Sequence, residues 1–128
     1  MILVVEDEAM VAILIEEALT DAGYEVALAY NGPAALQSLD NQIDAMEALI
    51  TDVRLGGPIS GWDVAKHARE LAPDVPVIYA SGDSSGDWSR HGVEGSIMLA
   101  KPYSMDRILA LVTQLVSNVQ KQVPHSVN

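Results

Sequence analysis

The chain has 128 residues, of which 49% are hydrophobic, and a formal net charge of -11 from 18 acidic and 7 basic residues. This length suits one domain with a single core, and the hydrophobic content excludes a disordered chain. The charge argues against nucleic-acid binding, which needs clustered Lys and Arg. Because there is no cysteine, disulfides, thiolate chemistry and Cys-based zinc sites are excluded.

Signals for membrane insertion or export are lacking. The longest apolar runs, such as AMVAILI at residues 9–15, are shorter than the roughly 18 residues that a bilayer span needs. The first residues lack the basic segment of a signal peptide. We therefore expect a soluble, cytoplasmic protein without a membrane partner, and the negative charge favours partners that carry cations or basic patches.

Short apolar runs alternate with segments of helical spacing along the chain. The runs predict five strands, ILVV (2–5), YEVALAY (24–30), ALIT (48–51), PVIYAS (76–81) and SIMLA (96–100). This alternation predicts a doubly wound α/β fold with a five-stranded parallel sheet. We expect one domain over residues 1–117 and a polar C-terminal tail over residues 118–128.

Helices are predicted in the gaps between the strands. The first has one apolar face, made by Val11, Leu14, Ile15, Ala18, Leu19 and Ala22. Two shorter helices follow at 33–41 and 62–72, and an apolar stripe from Ile108 to Val119 predicts the last one. Residues 82–95 contain four glycines and are the weakest helix candidate.

Polar residues follow four of the predicted strands. Glu6 and Asp7 follow the first, Asp52 the third, Ser81 ends the fourth and Lys101 follows the fifth. Ligands of doubly wound sheets bind at the carboxyl ends of the strands, so these side chains should share one edge. Carboxylates placed together repel one another unless a cation neutralises them, and Mg²⁺ prefers oxygen ligands of this kind.

Lys101 and Ser81 would complement an anion bound beside such a metal. A phosphoryl group would meet the charge of Lys101 and the hydroxyl of Ser81. One carboxylate could then act as the nucleophile, and Asp52, alone on the central strand, is the best placed. The alternative is that Glu6 and Asp7 cap the first helix and that Ser81 begins a turn.

Four segments, ILVVEDE, LITDVRL, VIYASG and LAKPY, occur in this order over about residues 2–117. Together they resemble the receiver domain of two-component response regulators, of the stand-alone, chemotaxis-regulator-like type. The resemblance implies a flavodoxin-like (βα)5 fold that takes a phosphoryl group from a sensor histidine kinase or a histidine phosphotransfer protein.

The resemblance implies specific roles for the acidic residues. Asp52 would be the phospho-acceptor and would also bind the metal, Mg²⁺ or Mn²⁺. Asp7 would bind this ion directly, Glu6 through water, and Arg54 through its backbone carbonyl. We further expect Arg54 and Asp83 to pair across the site and to slow hydrolysis of the acyl phosphate.

It also implies roles for residues near the last two strands. Ser81 takes the place of the switch Thr or Ser, Lys101 that of the paired lysine, and the Lys101–Pro102 peptide bond should be cis. Met98 stands where most of the family has Tyr or Phe, and Tyr103 is an aromatic residue close by.

Such a protein would catalyse only its own phosphorylation and dephosphorylation, without a turnover substrate, and would signal by contact with a downstream protein. A homodimer through the last helix would follow if Leu109 and Val116 stayed exposed.

Three other functions are weighed against this one. A phosphatase-type hydrolase also uses an Asp nucleophile, but it normally has a second acid two residues later, where this chain has Arg54. A flavin carrier needs a Ser-, Thr- or Gly-rich loop after the first strand, where this chain has EDE. A pseudo-receiver that binds partners without phosphorylation remains open.

Overall fold

Five parallel strands form one sheet in the order β2-β1-β3-β4-β5. They are β1 (Ile2–Val5), β2 (Val26–Ala29), β3 (Ala48–Asp52), β4 (Val77–Ser81) and β5 (Ile97–Ala100). The computed structural model of the chain describes residues 1–82 and 87–122, with side chains described as far as Asn118. This strand order is that of flavodoxin-like folds, so the predicted doubly wound architecture is confirmed.

Helices cover both faces of the sheet. They are α1 (Ala9–Asp21), α2 (Gly32–Gln42), α3 (Gly61–Leu71), α4 (Trp88–His91) and α5 (Met105–Gln122), and a short 3-10 helix spans Ile43–Ala45. The helices α1 and α5 pack together, as do α2 and α3. No helix in the described part of the chain combines the length and the apolar character needed to cross a membrane.

Two apolar clusters lie on opposite faces of the sheet. The α2–α3 cluster includes Leu3, Val5, Ala35, Leu39, Leu49, Val53, Val64, Ala68 and Tyr79. The α1–α5 cluster includes Ile2, Val4, Ile15, Leu19, Ile50, Ile78, Ile108, Leu111, Val112 and Val116. Alternate residues of β1 thus enter different clusters, as the two-residue period of a strand requires. This explains why the central strands read as continuous apolar runs.

Side-chain caps define where α2 and α3 begin. The Asn31 side chain accepts a hydrogen bond from the Ala34 N–H at 2.8 Å. Ser60 and Asp63 form a reciprocal capping box at the start of α3, in which each side chain accepts from the other residue's N–H. These caps set the first residues of helices whose approximate positions the sequence pattern predicts.

The face of α1 that enters the core is narrower than predicted. Ala12, Ile15 and Leu19 are buried, whereas Leu14 is 52% exposed and Ala22 is exposed as well. Leu14 lies about 100° around the helix from Ile15, which turns it away from the sheet. The prediction was therefore wrong for Leu14 and Ala22.

The apolar residues of α5 pack in the α1–α5 cluster. Val116 is buried, and the partly buried Leu109 packs against the α1–α5 cluster, so neither side chain provides the exposed face that a homodimer through this helix would use. The helix continues to Gln122, beyond the predicted domain boundary at residue 117. The division into domain and tail stays a prediction, because residues 123–128 lie outside the described part.

Hydrogen bonds join α4 to the start of β5 and to β4. The Trp88 indole N–H donates to Ser96 Oγ at 2.9 Å, and Ser96 Oγ donates to the Val93 carbonyl at 2.6 Å. The Val93 N–H in turn donates to the hydroxyl of Tyr79 at 3.1 Å. This segment has one short helix, as its glycine content predicts, and residues 83–86 lie outside the described part.

Candidate functional site

The carboxyl ends of the central strands bring the predicted site residues to one edge of the sheet. Glu6 directly follows β1, while Asp52 and Ser81 end β3 and β4. The backbone N–H of Lys101, just after β5, donates to the Ser81 carbonyl at 2.9 Å. The strand pattern alone therefore leads to this edge, because parallel strands end on the same side.

Three carboxylates and one ammonium group form the centre of this edge, which we call the acidic site. Glu6, Asp7 and Asp52 each place a carboxylate oxygen within 4.8 Å of the other two. Lys101 Nζ lies 3.2 Å from Asp52 Oδ2 and 3.5 Å from Glu6 Oε2. Glu6 is 1% exposed and Asp52 is 8% exposed, while Asp7 faces solvent.

Backbone donors hold the two buried carboxylates in place. Glu6 Oε1 accepts from the Glu8 N–H at 3.1 Å, and Asp52 Oδ1 accepts from the Arg54 N–H at 3.3 Å. Each carboxylate thus has one oxygen directed to the backbone and the other to Lys101. Such fixed hydrogen bonds reduce the cost of burying charge.

Burial and charge shift the protonation equilibria in the acidic site. Burial is the main cause that raises the pKa of Glu6 to about 7, and the negative charge of Asp52 adds to it against the lowering by the Glu8 N–H and Lys101. Partial burial acts to lower the pKa of Lys101, but Asp52 and Glu6 outweigh it and raise that pKa. Lys101 is therefore the stable positive charge of the site at neutral pH.

The raised pKa of Glu6 predicts a pH-dependent stability of the metal-free protein. The folded-state pKa of Glu6, about 7, lies above that of an unfolded glutamate. The stabilisation that comes from protonated Glu6 is therefore complete below about pH 4.5 and is lost as the pH rises through 7. We expect the free energy of unfolding of wild type, relative to Glu6→Gln, to fall by up to roughly 3 kcal/mol between pH 4.5 and 8. Urea denaturation of both proteins across this range measures the difference. A difference independent of pH would contradict the assignment.

The donor set of the acidic site fits a hard divalent cation. All three candidate ligands are carboxylates, and Mg²⁺ or Mn²⁺ binds through oxygen, with one or two carboxylates and several waters. The site is open to solvent on the side of Asp7, whose side chain is exposed. The three carboxylates therefore provide the oxygen ligands that such an ion prefers.

The remaining predicted residues lie around this centre. Ser81 is 3% exposed, and Arg54 is exposed with its backbone N–H on Asp52. The Lys101–Pro102 peptide bond is cis, as predicted. Met98 is half-buried against the α2–α3 cluster. Asp83 lies outside the described residues, so its pairing with Arg54 stays a prediction.

Two features of the site were not predicted from the sequence. Gly61, the first residue of α3, packs directly against the backbone of Asp52 and Val53, and its N–H donates to the Val53 carbonyl at 2.8 Å. The hydroxyl of Tyr103 is buried, and it interacts electrostatically with Lys101, Glu6 and Asp52. Both depend on tertiary contacts; the only signals in the sequence are the position of Gly61 at a helix start and that of Tyr103 two residues after Lys101.

Comparison with known proteins agrees with this geometry. The family model of the response regulator receiver domain matches residues 2–113. The uncharacterized transcriptional regulatory protein YrkP of Bacillus subtilis is 36% identical over 113 residues, which are 87% of this chain and 47% of that protein. The luminescence regulatory protein LuxO of Vibrio campbellii is 31% identical over 121 residues, 91% of this chain and 26% of that protein. The chain thus spans less than half the length of these curated relatives.

Solved structures show the same fold over nearly the whole chain. A response regulator receiver protein from Sinorhizobium medicae has a TM-score of 0.86 and 37% identity, and the match covers 91% of this chain and 93% of that one. The receiver domain of the hybrid histidine kinase CckA has a TM-score of 0.76 and 30% identity, covering 90% of this chain and 97% of that one. Receiver domains are generally signalling modules that bind Mg²⁺ in an acidic pocket and are phosphorylated on Asp. With sequence, topology and acidic site in agreement, the chain belongs to the response regulator receiver domain family.

Proposed function

We propose that Asp52 accepts a phosphoryl group from a phosphohistidine of a sensor histidine kinase or a histidine phosphotransfer protein. One observation carries this proposal. The Asp52 carboxylate ends the central strand with its Oδ2 atom 3.2 Å from Lys101 Nζ, and an oxygen of it lies within 4.8 Å of oxygens of Glu6 and Asp7. A nucleophile, a counter-charge and a set of metal ligands thus meet at one point.

The residues of the site have separate tasks in this transfer. A carboxylate oxygen of Asp52 forms a bond to phosphorus while the bond from phosphorus to the donor's imidazole nitrogen breaks, and its electron pair returns to that nitrogen. Lys101 and the Ser81 hydroxyl donate to phosphoryl oxygens as charge develops on them. Water later attacks phosphorus and releases inorganic phosphate, which returns Asp52 to its carboxylate form.

Glu6, Asp7, Asp52 and the backbone carbonyl of Arg54 would hold Mg²⁺ or Mn²⁺. When bound, the ion neutralises negative charge on the phosphoryl oxygens. Asp7 would bind the ion directly and Glu6 through a water, while Lys101 keeps its contact with Asp52 Oδ2. A phosphatase-type reaction has less support, because Arg54 occupies the position where such an enzyme normally has its general acid.

A surface of α1 supports contact with a protein partner. Met10, Ile13 and Leu14 are 78%, 42% and 52% exposed, and they lie on the helix that begins beside Glu6 and Asp7. The surrounding charged residues of this helix are acidic. A phosphodonor protein with an apolar helix face and basic residues at its rim would match this surface and reach Asp52. The downstream partner would also be a protein.

Intact-mass measurement with a small phosphodonor tests the proposal directly. Wild type incubated with acetyl phosphate and Mg²⁺ should gain the mass of one phosphoryl group, and the gain should disappear with a chelator. Asp52→Asn keeps the size of the side chain and removes the nucleophile, so it should gain no mass. A protein that takes no phosphoryl group in the presence of Mg²⁺ would be a pseudo-receiver, and a gain that persists in Asp52→Asn would assign the acceptor elsewhere.

A further inference from the structure

Among the described residues, the hydroxyl of Tyr103 is the one buried side-chain polar group without a hydrogen-bond partner. Its oxygen is buried and has no hydrogen-bond partner in the described part of the chain, while the ring packs against the α1–α5 cluster. A buried hydroxyl without a partner is destabilising, and native proteins rarely keep one without a reason.

The other tyrosines of the chain do not share this feature. The buried hydroxyl of Tyr79 accepts from the Val93 N–H at 3.1 Å. The hydroxyl of Tyr24 lies 3.3 Å from Thr113 Oγ1 in a shared hydrogen bond, and Tyr30 is exposed to water. Tyr103 is therefore the exception among the four tyrosines of the chain.

The phenol lies within the electrostatic field of the acidic site. Burial raises the pKa of Tyr103, Lys101 lowers it, and Glu6, Asp52 and Glu8 raise it further. The hydroxyl keeps its proton at neutral pH and is thus a hydrogen-bond donor. The buried carboxylates already have donors, with Glu6 bound to the Glu8 N–H and Asp52 bound to both the Arg54 N–H and Lys101.

We propose that Tyr103 donates its hydroxyl hydrogen to an oxygen that enters the acidic site with a ligand. The acceptor is an oxygen with negative or partial negative charge, carried either by the phosphoryl group on Asp52 or by a water bound to the divalent cation. Tyr103 is then a positioning residue whose hydroxyl has a hydrogen-bond acceptor only when the ligand is bound in the acidic site. This inference rests on the proposed function, because it needs a ligand at Asp52.

Tyr103→Phe tests the inference, because it keeps the ring and removes only the hydroxyl. In the ligand-free protein the thermal midpoint should stay the same or rise, since an unpaired buried group is lost. The affinity for the ligand should fall by roughly ten-fold, the scale of one hydrogen bond to a charged acceptor. Titrations with Mg²⁺ alone, and with Mg²⁺ plus beryllofluoride as a phosphoryl analogue, separate the two acceptors. A loss with Mg²⁺ alone assigns the metal-bound water, and a loss only with beryllofluoride assigns the phosphoryl oxygen.

Tyr79→Phe is the matched control. It removes a hydroxyl that is paired with Val93, so its thermal midpoint should fall while the folded protein keeps wild-type affinity for both ligands. Equal affinities of Tyr103→Phe and wild type in both titrations would overturn the inference and leave the proposed function standing. A wild type that binds neither ligand would overturn both.

Discussion

Changing Lys101 to Met should slow phosphorylation of Asp52 by a small phosphodonor by about 10²–10³-fold, the effect of losing one preorganised charge-stabilising donor. Lys101 Nζ lies 3.2 Å from Asp52 Oδ2 and 3.5 Å from Glu6 Oε2, so it is in place before any phosphoryl group arrives. Methionine has a similar length and shape and no charge. The substitution therefore tests the ammonium group and leaves the packing of the stem nearly unchanged.

The measurement is the rate of mass gain with acetyl phosphate at saturating Mg²⁺. Lys66→Met is the matched control, because it makes the same change of charge and shape at an exposed residue of α3. It should react at the wild-type rate. If Lys101→Met reacted as fast as Lys66→Met, the positive charge at Asp52 would have no part in the transfer, and the tasks assigned to the site would have to be revised.

The fold could be predicted from the sequence because its strands are covered on both faces. The run ILVV is the whole of β1, and its residues are at most 1% exposed. Such runs are short and continuous, and helical spacing lies between them. The rule that parallel strands end at one edge then brings Glu6, Asp52, Ser81 and Lys101 together. The parallel architecture and the side chains that meet at this edge could therefore be predicted without knowledge of any contact.

Features that depend on distances between elements could not be predicted. Glu6 and Asp7 are adjacent in sequence, but Glu6 is buried whereas Asp7 faces solvent, and burial raises the pKa of Glu6. Periodicity indicates that α1 has an apolar face without locating its edges, so Leu14 was misassigned. The polar residues after Val116 continue α5 because extending a formed helix costs little compared with starting one.

Replacing Gly61 with Ala should lower the free energy of unfolding by roughly 3 kcal/mol, the upper part of the range for overpacking. A Cβ at this position would overlap the carbonyl oxygen of Asp52 and lie 2.8 Å from the Asp52 carbonyl carbon and 2.9 Å from Val53 Cα. These are backbone atoms, so no rotation of a side chain relieves the overlap. Either α3 moves away from the sheet or the end of β3, which carries Asp52, is displaced.

The two responses differ in their effect on phosphorylation. A displacement of the acceptor by about 1 Å can slow a positioned reaction roughly 100-fold, whereas a movement of α3 alone would leave the rate of the folded protein unchanged. Gly57→Ala is the control, because a Cβ there meets no atom within 4 Å, and it should match wild type in both urea denaturation and rate of mass gain. We expect Gly61→Ala to lose stability and rate together, since the overlapping atoms belong to the acceptor residue itself. A stable Gly61→Ala protein with a wild-type rate would show that this contact does not hold Asp52 in place.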